Sequence, residues 1–283
     1  MISHILVGSD LSERSDRAVD RAVDLAKRFS AQLTVLHVVD EDIPSSIADH
    51  QKIAATKHLA ELVGSVAATG GPRISPVVEF GKDWTEILRQ SEILQADLIV
   101  LGIHRESRLA GLFRGTTVER VVRNSAVPVL TVRNKPTRDY HTIVVGVDFS
   151  IYSRRALDFA LSFAPSAEVH LVHAYDVPFK SFLTGSAQKG ELNKRQQKQF
   201  SEAIDEEMTS FLAGSEPHLT RIRTVIREGD PNEVLRSYVS EKDANLMVLG
   251  THGRTGLARA MLGSTAETFF TDPPCDVVAI KAW

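Results

Sequence analysis

The chain is one pattern written twice. Residues 5–19, ILVGSDLSERSDRAV, match residues 143–157, IVVGVDFSIYSRRAL, and the correspondence continues at a period of about 140 residues. LTVLHVVD (33–40) matches VHLVHAYD (169–176), and EFGKDWTEIL (79–88) matches REGDPNEVL (227–235). ADLIVLGIHR (96–105) matches ANLMVLGTHG (244–253), and RGTTVERVVRNSAVPVLTV (114–132) matches LGSTAETFFTDPPCDVVAI (262–280). A period this long means tandem duplicate domains, because solenoid repeats are only about 20–50 residues long. The short polar linker Asn134-Lys135-Pro136-Thr137-Arg138-Asp139 leaves the halves free to pack on each other.

Each half reads as strand and helix in alternation. Ile5–Gly8 and Ile143–Val147 are short, β-branched apolar runs, as in parallel strands buried on both faces. Ser12 and Ser150 stand where N-caps of the first helices belong, and those helices run to about Phe29 and Phe163. Ala18, Ala22, Leu25, Ala26 and Phe29 recur at helical spacing. Second strands are expected at Leu33–Val38 and Val169–Ala174, long helices at about 48–67 and 189–213, and third strands near Ser75–Phe80 and Ile222–Arg227. Gly81 and Gly229 turn into third helices with Asp83 and Asp230 as caps, and Pro231 suits a first helical position. Fourth strands at Leu98–Leu101 and Leu246–Leu249 lead through glycine loops to a last helix and the last strands, Val129–Val132 and Val277–Ile280. This alternation predicts an α/β fold with a parallel sheet covered on both faces. Ligands of such sheets bind beyond the carboxyl ends of the strands, where strand order reverses.

The loop 246–265, LMVLGTHGRTGLARAMLGST, carries the chemistry. Gly250 and Gly253 let backbone approach a ligand. Gly263-Ser264-Thr265 opens a helix whose N-terminus offers unpaired N–H groups and partial positive charge. Arg254 and Arg259 add charge, so a phosphate is the natural guest; the alternative is a glycine-rich connection that holds no ligand. Asp10 and Asp148 end the first strands and would face the same crevices. A carboxylate suits ribose hydroxyls or an adenine amino group, although for Asp148 an Asx turn or helix cap just before Ser150 would also account for it.

The spacing Gly250-x2-Gly253-x9-Gly263-Ser264 resembles the ATP-binding signature of the universal stress protein family. It is neither a Walker A loop nor GxGxxG. The resemblance covers nearly the whole chain. It implies two Rossmann-like domains of the adenine nucleotide alpha hydrolase type, at 1–133 and 140–283, each a five-stranded parallel sheet ordered 3-2-1-4-5 and flanked by helices. It implies nucleoside contacts from Asp10 and Asp148, adenine packing by Val38 and Ala174, and phosphate contacts from Gly250, Gly253, Arg254, Gly263, Ser264 and Thr265. Their first-half counterparts are Gly102, Gly115 and Thr116. ATP is the implied ligand, with Mg²⁺ arriving on its phosphates. Members also commonly dimerise through their last strands, a pairing the two halves here could form internally.

The halves are unequal. In the first loop, Gly102-Ile103-His104-Arg105, an arginine replaces the second glycine. Arg105 then fills or blocks the site, or points away and leaves a weaker one, or forms a different anion site with Arg108 and Arg114. A second half that binds adenine nucleotide and a degenerate first half are therefore expected.

Net charge of −3 favours neither nucleic acid nor an anionic membrane as partner, and no run approaches the roughly 20 apolar residues of a span. One cysteine, Cys275, allows no internal disulfide and reads as a structural residue at a strand entrance, which fits a cytoplasmic protein. His37 and His173 read as hydrogen-bonded residues near the crevice, His252 as a solvent-facing loop residue or a phosphate donor, and Trp84 and Trp283 as packing residues. The stretch 187–207 reads as a solvated helix face. No nucleophile stands paired with a general base and no carboxylate pair has metal spacing. The expectation is thus a regulatory nucleotide-binding protein of the stress response with a protein partner still to be named. Against it stand a slow ATPase or nucleotidyl transferase and a nucleotide-free interaction module.

Overall fold

The computed structural model describes residues 2–103, 115–175, 202–252 and 262–281. The first half comprises β1 (His4–Gly8), α1 (Glu13–Phe29), β2 (Gln32–Asp40), α2 (Ser45–Ala68), β3 (Ile74–Gly81), α3 (Asp83–Ile93), β4 (Leu98–Gly102), α4 (Thr117–Asn124) and β5 (Val129–Val132). The second repeats it as β6 (Thr142–Gly146), α5 (Ile151–Phe163), β7 (Glu168–Tyr175), α6 (202–212), a 3-10 turn (Glu216–Arg221), β8 (Ile222–Glu228), α7 (Pro231–Glu241), β9 (Leu246–Gly250), α8 (Ser264–Thr271) and β10 (Asp276–Ile280). The helix expected over 189–213 is described only from 202, and most of the stretch 187–207, like Trp283, lies outside the described residues.

The ten strands form one sheet in the order β3-β2-β1-β4-β5-β10-β9-β6-β7-β8. Each half has the expected order 3-2-1-4-5 with parallel neighbours. The halves join through β5 and β10, which run antiparallel with Leu130 opposite Val278. The last strands thus pair within the chain, and neither is left as an open edge.

Alternation along the strands divides the core between the two faces of the sheet. Ile5 and Val7 point to one face with Ile143 and Val145. Leu6 and Ile99 point to the other with Val144 and Met247. Burial on both faces explains why the strands read as unbroken apolar runs. At the junction, α1 and α5 meet through Phe29 and Phe163, whose ring centroids lie 5.6 Å apart. Cys275 is buried beside β10, and burial pushes its thiol pKa far up, as suits a structural residue.

Ser12 accepts a hydrogen bond from the Ser15 N–H and Ser150 from the Ser153 N–H, the N-caps expected. Asp230 caps α7 by accepting from the N–H groups of Asn232 and Glu233. Asp83 does not play that part: Lys82 occupies the N-cap position and Asp83 is the first helical residue. The cause is the turn before it. Gly81 and Gly229 both take left-handed φ, 147° and 143°, and each helix begins two residues later. That spacing puts Pro231 and Asp83 at equivalent positions.

Candidate functional site

Strand order reverses at β1, which lies between β2 and β4, so their carboxyl ends open a crevice. The cavity there measures about 790 Å³. Asp10, Val38, Gly102, Gly115 and Thr116 all line it. The register explains why: Gly8 is level with Leu36 and Val7 with Val100, so Asp10, Val38 and Gly102 follow at neighbouring strand ends. In the second half Gly146 is level with Val172 and Val145 with Val248, which brings Asp148, Ala174 and Gly250 to the equivalent place.

Both strand-one aspartates form Asx turns. Asp10 Oδ1 accepts from the Ser12 N–H at 3.0 Å and from the Ser12 hydroxyl. Asp148 Oδ1 accepts from the Ser150 N–H at 3.0 Å and its hydroxyl at 2.6 Å. The intervening residues, Leu11 and Phe149, are held at φ of 60° and 61°. Left-handed backbone is costly for such side chains, by about 1 kcal/mol or more, and its recurrence in both halves marks a shared device. It turns the chain sharply off the strand and holds the carboxylate at the crevice mouth. The sequence carries no plain signal for it, since neither residue is Gly or Asn. His37 Nδ1 donates to the Ser9 carbonyl at 2.9 Å and His173 Nδ1 to the Val147 carbonyl at 2.8 Å. Both histidines thus brace the end of strand one, as hydrogen-bonded residues beside the crevice.

The ends of the two crevices beside the glycine loops differ. In the first half, Thr116 caps α4 by accepting from the Glu119 N–H at 3.2 Å, and Glu119 Oε2 accepts from the Gly115 N–H. Glu119 is buried and paired with Arg123 at 2.8 Å. The Thr117 hydroxyl donates to Asp83 Oδ2. The Thr116 cap, Glu119 and the neighbouring Asp83 carboxylate therefore engage the donors at this end of the crevice. In the second half the cap of α8 is Gly263, with no side-chain cap, and among the described residues the Ser264 and Thr265 hydroxyls make no side-chain hydrogen bond. The Gly263 N–H donates to the Thr251 carbonyl at 2.8 Å, tying the far end of the loop to its start.

Gly250 and Gly263 serve different needs. A Cβ on Gly250 would meet Tyr152 Cβ at 2.7 Å and the Tyr152 carbonyl carbon at 2.9 Å. The position is glycine so that the first turn of α5 can press onto β9. Gly263 takes an ordinary φ of −61°, and a Cβ there would make a normal 3.5 Å contact. Gly253, Arg254 and Arg259 lie outside the described residues, as do Arg105, Arg108 and Arg114.

His252 is half-buried rather than solvent-facing. The close approach of α5 lays the Tyr152 ring 5.0 Å from its imidazole, and the Thr251 hydroxyl lies 2.9 Å from its Nδ1. Burial, with Lys281 nearby, lowers its pKa. Lys281 is itself lowered by burial, and its Nζ donates to the Arg123 carbonyl at the end of α4.

That last contact crosses between halves, and its mirror image lies at the first crevice. Because β5 and β10 are antiparallel, α8 ends where the first half's strands end. Phe270 and Thr271 form part of the first cavity's wall. Asp40, Asp42, Lys82, Asp83, Trp84 and Arg120 also line it, beyond the residues the motifs pointed to. Trp84 is a packing residue that doubles as cavity wall, with the Arg120 guanidinium 5.7 Å from its ring. Among the described residues no three His, Cys, Asp or Glu side chains gather closely enough to hold a metal ion, and no helix is long and apolar enough to cross a membrane.

The sequence profile described as "Universal stress protein family" matches residues 1–133 and again 139–281. Universal stress protein E of Salmonella typhi is 26% identical over 99% of this chain and 95% of its own length. The universal stress protein E homolog of Haemophilus influenzae is 28% identical over 65% of this chain and 62% of its own length. A universal stress protein from Archaeoglobus fulgidus of known crystal structure shares the fold with a TM-score of 0.72, at 22% identity over 98% of each chain. With the family profile matched in both halves, the repeated strand order and the doubled Asx turn, the chain belongs to the universal stress protein family and carries the family's pattern twice in tandem.

Proposed function

We propose that this protein binds an adenine nucleotide, ATP in the first instance, in the crevice of its second half, and acts as a regulatory element of a stress response. The observation that carries this reading is the uncapped start of α8. Among the described residues, Gly263 supplies no side-chain cap to the first N–H groups of the helix, and Ser264 and Thr265 present hydroxyls beside them. Such a terminus suits a phosphate. Asp148 stands at the other end of the crevice, one carboxylate oxygen held by Ser150, so it can accept from ribose hydroxyls through the other. Gly250, Gly253 and Arg254 complete the loop, and Ala174 leaves room for a base. Lys281 adds positive charge at the same edge. ATP would bring Mg²⁺ on its own phosphates.

On this reading the chain divides into a nucleotide-gripping domain, 140–283, and a domain, 1–133, whose phosphate end is closed by its own carboxylates. Occupancy alters conformation or assembly, and a cytoplasmic protein partner reads the result. The last strands are consumed within the chain, so association of two chains would use another surface.

The test is mass spectrometry of ligand released from the purified protein, with calorimetric titration of ATP–Mg²⁺. One adenine nucleotide per chain is expected. No released nucleotide and no heat would sink the proposal, whereas two per chain would show that the first half also grips phosphate.

A further inference from the structure

We infer that the first crevice is a nucleoside site: it takes an uncharged nucleoside and rejects the phosphate esters of the same compound. The inference rests on the nucleotide-binding reading of the second half and extends it to the half whose motif is degenerate.

The cavity, at about 790 Å³, falls within the roughly 300–1,000 Å³ typical of small-molecule sites. Its apolar lining includes Leu36, Val38 and Ile87, with the Trp84 ring beside them, surfaces that suit a flat heterocycle. Among the described residues four carboxylates line it as well, Asp10, Asp40, Asp42 and Asp83, against two cations, Lys82 and Arg120. Lys82 is exposed, and Arg120 lies over Trp84. The carboxylates are too dispersed to hold a metal ion among the described residues. Dispersed acceptors instead match dispersed O–H and N–H donors, which is what a sugar and an exocyclic amine present.

The phosphate end argues the other half of the case. The Thr117 hydroxyl, counterpart of the Thr265 hydroxyl at the start of α8, is taken by Asp83, and the Gly115 N–H is taken by Glu119. A phosphate entering there would displace two carboxylates from their donors and then sit beside them. The end of α8 also reaches this cavity, and a helix C-terminus adds partial negative charge. Among the described residues, charge here favours the ligand that leaves its phosphate behind.

Trp84 and Trp283 are the two tryptophans of the sequence, so Trp283→Phe makes tryptophan emission a reporter of the first cavity. Gly263→Glu places a carboxylate at the start of α8, where the added Cβ meets only an ordinary 3.5 Å contact, and should silence the second half. Adenosine and ATP–Mg²⁺ are titrated separately into full-length Trp283→Phe protein with and without Gly263→Glu. Adenosine should change Trp84 emission with the same affinity in both, and ATP should act at least about tenfold more weakly than adenosine. Asp83→Ala combined with Glu119→Gln should then recover an order of magnitude or more of ATP affinity. ATP acting on Trp84 at lower concentration than adenosine would overturn the inference. So would silence towards adenosine, in emission and calorimetry, in a protein whose second half still takes ATP. A protein that takes neither compound anywhere would overturn this inference and the nucleotide reading together.

Discussion

The Tyr140 hydroxyl donates to Asp276 Oδ2 at 2.7 Å, joining the linker to the last strand inside the seam between the halves. The Arg133 N–H donates to the other carboxylate oxygen at 2.9 Å, and the Arg21 guanidinium lies over the Tyr140 ring at 4.3 Å and 3.6 Å from Asp276. Asp276 is thus a buried carboxylate that binds the first helix, the linker and β10 at one point. Burial raises its pKa, and the Tyr140 and Arg133 bonds offset part of that rise.

Removing the Tyr140 hydroxyl should therefore be costly, and more so at neutral pH than in acid. A carboxyl whose folded pKa is raised weakens the fold as pH climbs through the carboxylate range, because it must ionise where it is poorly solvated. The Tyr140 bond counters this by favouring the ionised form. Tyr140→Phe is expected to lose about 1–3 kcal/mol at neutral pH, the cost of leaving a buried charged acceptor short of a donor. The loss should shrink as pH falls from neutral towards the ordinary carboxylate value of about 3.9, because the raised pKa of Asp276 lies above that value and the group is protonated before it is reached. Urea midpoints of both proteins across that range check it, and a pH-independent gap would show that the bond does not depend on the charge of Asp276.

Asp97 makes the opposite case. Burial pushes its pKa up, but hydrogen bonds from the Ser3 N–H at 2.6 Å, the Ser3 hydroxyl at 2.7 Å and the His4 N–H at 3.0 Å outweigh that and leave it lowered. Its counterpart in the second half is Asn245, whose Oδ1 accepts from the N–H groups of His141 and Thr142. The same clamp is built once with a charge and once without. A lowered carboxyl pKa gives stability that is present above the unfolded value, about 3.9, and is lost as pH falls through the folded one. Asp97→Asn should keep most of the stability at neutral pH, within about 1 kcal/mol given its exposure to solvent. The variant should show a shallower acid limb than its parent, measured by the pH dependence of unfolding. An unchanged acid limb would remove Asp97 from the account.

The two loop glycines should separate in stability measurements. Gly250→Ala forces a methyl against the Tyr152 backbone and should destabilise by about 1–3 kcal/mol, as overpacking does. Gly263→Ala meets only an ordinary contact and should cost less than about 1 kcal/mol, the scale of an N-cap exchange. Equal thermal midpoints for the two variants would mean that α5 can retreat from β9.

What the sequence showed and what it hid divide along physical lines. The strands followed from apolar runs buried on two faces, their order only from the family resemblance, and Ser12 and Ser150 were visible as caps because capping is local chemistry. Asp83 was misplaced by one residue because the left-handed Gly81 sets where α3 begins, and φ is not written in residue identity. Leu11 and Phe149 were invisible for the same reason. Phe270 and Thr271 could not be assigned to the first half's cavity from sequence, since they lie about 155 residues beyond Gly115 in the chain and reach the cavity only through the antiparallel seam. His252 was read as exposed because nothing in its neighbours announces that Tyr152 will cover it.

The seam between motif and geometry gives the last prediction. From the sequence, Arg105 is the departure that disables the first loop, and Arg105→Gly would restore the spacing Gly-x2-Gly-x9-Gly. The structure adds two obstacles that this substitution leaves in place: Glu119 on the Gly115 N–H and Asp83 on the Thr117 hydroxyl. Arg105→Gly alone should therefore leave the ATP stoichiometry at one per chain. Gly253→Arg, which writes the first half's departure into the second, should lower ATP affinity by about a hundredfold or more, since an intruding side chain denies phosphate the helix terminus. Calorimetric titration of both variants decides the matter. A second ATP bound by Arg105→Gly would show that the carboxylates yield to phosphate once the loop is free. Full affinity in Gly253→Arg would move the phosphate away from α8 altogether.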